Sequence, residues 1–125
     1  MRLMSKEKLT FAIDFDGCLT EYSFPDIGLQ SDEQKELLNV LIKLKEQGHK
    51  LILWTSRGEP VLQEAIDWCS EHNLEFDDIN VNPFFDKKSG PSPKIVADYY
   101  IDDKALEFKS LESRKRTIEF LRGLV

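Results

Sequence analysis

Two carboxylates stand two residues apart in Phe11-Ala12-Ile13-Asp14-Phe15-Asp16-Gly17-Cys18, directly behind an apolar run and directly before a glycine. Leu9 to Ile13 reads as a short buried strand. Side chains at i and i+2 of a strand share a face, so Asp14 and Asp16 are expected side by side where the strand ends. Carboxylates held that close repel each other, and burial adds a desolvation cost. A bound cation or a proton-transfer role would compensate. Asp-Gly is also a common turn dipeptide, so taken alone the pair is as readily a strand exit as a site.

Two further apolar segments end in the same way. Leu51-Ile52-Leu53-Trp54-Thr55 runs into Ser56-Arg57-Gly58, and Tyr99-Tyr100-Ile101 runs into Asp102-Asp103. In a parallel sheet the C-terminal strand ends share one edge, where ligands bind at the switch in strand order. Asp14, Asp16, Asp102 and Asp103 converging there would call for a hard divalent cation such as Mg2+. That ion takes only one or two carboxylates and keeps waters or phosphate oxygens, which points to a phosphorylated substrate. A phosphoryl group in transfer also needs a hydrogen-bond donor and a second cation. Thr55, with Ser56 beside it, is the candidate donor. Lys94 is the candidate cation, with Lys87 and Lys88 as rivals.

The elements that must position these residues alternate between strand and helix. Ser31 and Gln34 have capping-box spacing, Leu37, Leu38, Val40, Leu41 and Leu44 follow at helical spacing, and Gly48 stands where a C-terminal cap belongs. Pro60 fits the first turn of a second helix carrying Val61, Leu62, Ala65, Ile66 and Cys69 and stopping near Asn73. Ile79 to Val81 reads as a short third strand. Leu19 to Gln30, with Tyr22, Phe24, Pro25 and Gly28, reads as a flap beyond the two carboxylates. Pro83 to Pro93 reads as a loop, and Lys94 to Ala97 as the start of a turn or helix. The last helix, Leu111 to Leu121, is expected to turn Leu111, Ile118 and Leu121 inward and to leave Arg114-Lys115-Arg116 as a solvated face. This alternation implies right-handed crossovers and a three-layer α/β domain, with a mainly parallel sheet of about four strands and helices on both faces. One domain over residues 1–125 accounts for the whole chain.

Composition narrows the class. Hydrophobic residues make up 41% and charged residues 32% of the chain, the balance of a soluble globular protein. A formal net charge of −6 argues against general nucleic-acid binding, because the phosphate backbone rewards basic faces. No run is long enough to span a bilayer, and the first residues lack the apolar stretch of a secretory signal, so a cytoplasmic protein is expected. Cys18 and Cys69 have no metal-ligand spacing and are expected as reduced thiols.

In order along the chain, Asp14-Phe15-Asp16-Gly17, Thr55, Lys94 and Ile101-Asp102-Asp103 resemble the four motifs of the haloacid dehalogenase-like superfamily of phosphohydrolases. Phe24-Pro25-Asp26-Ile27-Gly28, Leu53-Trp54-Thr55-Ser56-Arg57 and Tyr100-Ile101-Asp102-Asp103-Lys104 look most like its small, capless bacterial or phage members. The resemblance implies a Rossmann-like sheet in the order 3-2-1-4 and a phosphatase that passes through an aspartyl-phosphate. Asp14 would be the nucleophile and Asp16 the general acid and base. Thr55 would hold the phosphoryl oxygens and Lys94 would neutralise charge. Asp102, with Asp103 assisting, would bind Mg2+ together with Asp14 and the backbone carbonyl of Asp16.

Cys18 departs from the threonine or valine usual after this motif, and an exposed thiol there would make the site oxidation-sensitive. Neither interval between motifs has room for a substrate-covering domain. Capless relatives accept large substrates or close their sites by oligomerising, so a small or larger phosphorylated substrate and a homo-oligomer are both expected. Ser56 and Arg57 would join Thr55 and Lys94 in binding substrate, with Tyr22, Phe24, Arg57, Lys87 and Lys88 on the rim. Two other readings are a phospho-acceptor module of the response-regulator receiver kind and a catalytically idle binding module.

Overall fold

A computed structural model describes residues 7–80, 97–102, 106–107 and 110–125. The elements follow in the order β1 (Thr10–Ile13), α1 (Asp32–Glu46), β2 (Lys50–Leu53), α2 (Val61–Glu71), β3 (Asp78–Ile79), β4 (Tyr99–Asp102), β5 (Leu106–Glu107) and α3 (Leu111–Leu124). Every strand pairing is parallel, and the sheet order is β3-β2-β1-β4-β5. The expected 3-2-1-4 order is therefore present, with the two-residue β5 added at the edge.

Alternation along the strands divides the interior. Phe11, Ile13, Leu51, Leu53 and Ile101 join the buried side chains of α1, α2 and α3 in one large cluster. Ala12 and Ile52, one residue out of phase, form a small cluster with Ala97 and Tyr100. This is the period of two that puts successive side chains on opposite faces of a sheet. Among the described residues the three helices all contribute to the first cluster. The loop expected from Pro83 to Pro93 and most of the turn expected from Lys94 lie outside the described residues.

Local chemistry explains where the helices start and stop. The Ser31 side chain accepts from the Gln34 N–H while the Gln34 side chain accepts from the Ser31 N–H, completing the capping box of α1. At its other end the Gly48 N–H reaches the Lys45 carbonyl and the His49 N–H the Leu44 carbonyl, a Schellman closure around Gly48 at φ +94°. Asn73, at φ 68°, plays the same part for α2, with the Leu74 N–H donating to the Cys69 carbonyl. Neither Cys18 nor Cys69 is in a disulfide and both are buried, so the thiol of Cys18 is not the exposed group that oxidation would need. Burial pushes the Cys69 thiol up to about 12.

Helix α3 differs from expectation at its first turn. Ser113, Thr117, Ile118 and Leu121 are its buried residues, and Leu111 is exposed at 55%. Leu111 lies seven residues before Ile118 and so on nearly the same side of the helix, but it is the first helical position after the Ser110 cap, and the buried stretch starts only at Ser113. No helix of the described residues is long and apolar enough to cross a membrane.

Two aspartates set the register where the strands enter the sheet. Asp98 gives its N–H to the Thr10 carbonyl and accepts the Thr10 N–H at 2.7 Å. Asp77 does the same for Leu51, accepting its N–H at 2.8 Å, and also pairs with Lys45 at 2.8 Å. Burial opposes ionisation of Asp77, but the hydrogen bonds from Lys45 and Leu51 and the charges of Lys45 and Lys50 outweigh it and hold the carboxyl below its ordinary range. A depressed carboxylate stabilises the fold above its unfolded value, about 4, and that contribution is lost as pH falls through the folded value. Asp77→Asn should therefore lower stability at neutral pH and flatten its decline below about pH 4 in urea unfolding. Equal slopes for variant and parent would contradict this role for Asp77.

Candidate functional site

The polar residues sit where the β1 ladder runs out. The Asp14 N–H donates to the Ile101 carbonyl at 3.0 Å and the Trp54 N–H to the Ile13 carbonyl at 2.9 Å, so β1 is held on both sides at this edge. Ile13 pairs with Ile101, which places Asp14 and Asp102 side by side at the ends of adjacent strands. The chain then turns. The Phe15 carbonyl accepts the N–H groups of Cys18 and Leu19, and Gly17 takes φ +80°, which a residue with a Cβ adopts rarely. Asp14 and Asp16, both partly buried, line one cavity of about 570 Å³ with Gly17, Glu21, Tyr22, Phe24, Ser56 and Arg114. That volume is in the usual range of small-ligand sites, roughly 300–1,000 Å³.

Arg57 is the residue whose role the sequence conceals most. It is not on the rim: it is 2% exposed, and its guanidinium carries five N–H groups that all find acceptors. Nε and Nη2 form a fork onto the Asp16 carboxylate at 2.8 and 2.7 Å. Nη1 donates to the carbonyls of Pro25 and Val61, and Nη2 also to that of Asp26. The rings of Phe15 and Phe24 lie 5.1 and 5.3 Å from its central carbon. The hydrogen bond to Asp16 raises Arg57 above its ordinary value against the desolvation of burial. Arg57 thus fastens Asp16 to both the flap and the start of α2, and it has no donor left for a substrate.

Thr55 and Ser56 follow β2 at the same edge of the sheet. Thr55 Oγ1 accepts the Arg57 N–H at 3.1 Å, closing a short turn, and the Thr55 N–H donates to Asn80 Oδ1 at 2.8 Å. Ser56 is exposed and lines the cavity. Asn80 shapes this end of the sheet from the chain following β3, at φ 53°. Its polar side chain at a strand end was the only signal of that part.

The flap folds back on itself, with the Glu21 N–H donating to the Leu29 carbonyl at 2.7 Å. Gly28 permits this: a Cβ there would lie 1.8 Å from the Glu21 carbonyl oxygen. Tyr22 and Phe24 stand on the rim as expected, 70% and 46% exposed. Arg114 departs from the solvated face expected of it. Its Nη1 donates to Glu21 at 3.0 Å and to the Ser31 hydroxyl at 3.3 Å, while Lys115 and Arg116 remain exposed. Lys87, Lys88, Lys94 and Asp103 lie outside the described residues.

The donors present fit a magnesium ion by their chemistry. Among the described residues no three His, Cys, Asp or Glu side chains gather as a metal cage. Magnesium needs only one or two carboxylates beside water and phosphate oxygens, and Asp14 and Asp102 supply two at neighbouring strand ends. The Asp16 side chain is committed to Arg57, which leaves its backbone carbonyl as its possible metal donor.

No protein-family model matches the chain, and no curated protein does. Among solved structures the chain is similar to a conserved protein from Bacteroides thetaiotaomicron, with 31% identity, 94% of this chain and 92% of that chain covered, and a TM-score of 0.73.

Breaking a buried ion pair from one side costs about 3–5 kcal/mol, because the partner charge is left uncompensated. Arg57→Leu should therefore lose about 3 kcal/mol or more in urea unfolding, and Arg57→Lys should recover only part of it, since an ammonium cannot fork onto a carboxylate. A loss below about 1 kcal/mol for Arg57→Leu, the range of an exposed pair, would contradict the clamp.

Proposed function

We propose that this chain, which belongs to the same family as the conserved Bacteroides thetaiotaomicron protein, is a Mg2+-dependent phosphohydrolase acting through an aspartyl-phosphate on Asp14. The observation that carries this reading is the meeting of Asp14 and Asp16 in one cavity, at the end of the strand whose neighbour ends in Asp102. It agrees with the ordered motifs that resemble the haloacid dehalogenase-like superfamily.

Asp14 attacks phosphorus, its Oδ–P bond forms, and the bond from phosphorus to the leaving oxygen breaks. Asp16 delivers its proton to that oxygen, then takes a proton from the water that hydrolyses the acyl phosphate. Holding a proton on one oxygen requires Asp16 to give up one of its two hydrogen bonds from Arg57. The other keeps the carboxyl in place, so one fixed group serves both half-reactions. The Ser56 hydroxyl, on the cavity wall, is a donor for the phosphoryl oxygens, and Lys94, the cation that the sequence offers, would complete the charge balance. Mg2+ held by Asp14, Asp102, Asp103 and the Asp16 carbonyl would neutralise phosphoryl charge.

Strand order disfavours the phospho-acceptor reading. Receiver-type sheets run 2-1-3-4-5, with the third strand beside the first. Here β4 takes that place and β3 lies at the edge.

Aryl phosphate should be turned over in Mg2+ with release of phosphate, and Asp14→Asn should lower kcat by roughly 10³-fold or more, as loss of a nucleophile does. Turnover that survives Asp14→Asn would contradict the mechanism. A stable phosphoprotein without turnover would favour the acceptor module, and inertness to every phosphorylated compound tried would favour the idle one.

A further inference from the structure

The cavity's described lining holds three carboxylates, Asp14, Asp16 and Glu21, and Arg114 is the cation among them. Its position is not explained by the helix that carries it. Ser110 caps α3, so Arg114 falls at the fourth helical position, near the positive end of the helix dipole, where a cation gains nothing. What it does have is Glu21. The two carboxylate oxygens of Glu21 lie 3.0 and 3.5 Å from Nη1 and Nη2, the side-by-side approach that an external carboxylate or phosphate would make. The partners differ in freedom: the Arg114 side chain is 12% exposed and braced on the Ser31 hydroxyl, whereas Glu21 is 49% exposed. A pair with one partner this open to water is worth about 0–1 kcal/mol, little enough for a ligand to displace.

We propose that Arg114 recognises a second anionic group on the substrate, set apart from the phosphate that reacts, and that Glu21 occupies that position until the substrate arrives. The inference rests on the phosphohydrolase reading and narrows it to substrates bearing two anionic groups, whether the second is a carboxylate or a further phosphate. Arg57 cannot supply this contact, because its five donors are already engaged. Binding exchanges one Arg114–carboxylate pair for another and frees Glu21 to water. Glu21 therefore competes with the ligand, and the two residues have opposite effects on affinity.

Titration calorimetry in Mg2+ with methylphosphonate and phosphonoacetate tests this without turnover, since neither carries a hydrolysable P–O–C bond. Phosphonoacetate should bind about tenfold more tightly, and Arg114→Met should abolish that preference. Glu21→Gln should strengthen phosphonoacetate binding about threefold. Comparing variants with the parent cancels chelation of Mg2+ by the ligand. Were the pair only a strut pinning the flap to α3, both substitutions would weaken binding together, and that result overturns the proposal. Equal binding of the two ligands, a preference that survives Arg114→Met, or no binding of either at millimolar concentration also overturns it. Should Arg114→Met fail to fold, Glu21→Gln decides alone: tighter binding supports the inference, and unchanged or weaker binding contradicts it. Aryl-phosphate turnover judges the phosphohydrolase reading separately, so either can fail while the other stands.

Discussion

A guanidinium taken out of water must find a partner for every N–H, and Arg57 meets that demand with one carboxylate and three backbone carbonyls. The acceptors come from three places in the chain: the turn after β1, the flap at Pro25 and Asp26, and the first residue of α2. Satisfying one side chain therefore fixes the relative positions of all three. Isolated burial of such a charge would be prohibitive, and a half-satisfied network would be worse than an apolar core. The flap is held where it is because Arg57 cannot be buried otherwise. Asp16, at the centre of the network, acquires one orientation.

The remaining geometry follows from the sheet. Asp14 and Asp102 come together because β1 and β4 are hydrogen-bonded neighbours in register, not because either side chain seeks the other. Asp98 fixes that register at the opposite edge through paired bonds to Thr10, and Asp77 does the same for β2 and β3 through Leu51. The carboxylate pair thus rests on rigid elements, whereas the cavity walls at Tyr22 and Phe24 belong to the flap. Scaffold and lid are separate, and Arg57 links them.

Much of this was legible in the chain because the signals are local. The apolar run ending in Asp14, the Ser31–Gln34 box and Gly48 each declare an element within a few residues, and each is present as read. Alternation of strand and helix then leaves few topologies, and the order 3-2-1-4, which the resemblance implied, is the one adopted. What could not be read depends on distant partners. Arginine is rarely buried, so Arg57 looked like a rim residue; its burial is decided by acceptors mostly 31 to 41 positions away. Arg114 sat in a basic run that resembles any solvated face, and its partner Glu21 is 93 positions distant. Leu111 was misplaced for a smaller reason: it shares a side of the helix with Ile118 but sits in the first turn, ahead of the buried stretch that starts at Ser113.

The central claim is that Asp14 becomes covalently phosphorylated on the way to product. Borohydride reduction during turnover of an aryl phosphate, followed by peptide mass spectrometry, tests it directly, because an acyl phosphate is reduced to an alcohol and a free carboxylate is not. Position 14 alone should be reduced, and only with substrate and Mg2+ present. Phosphate release at full rate with position 14 unmodified, or with reduction at another aspartate, would contradict it.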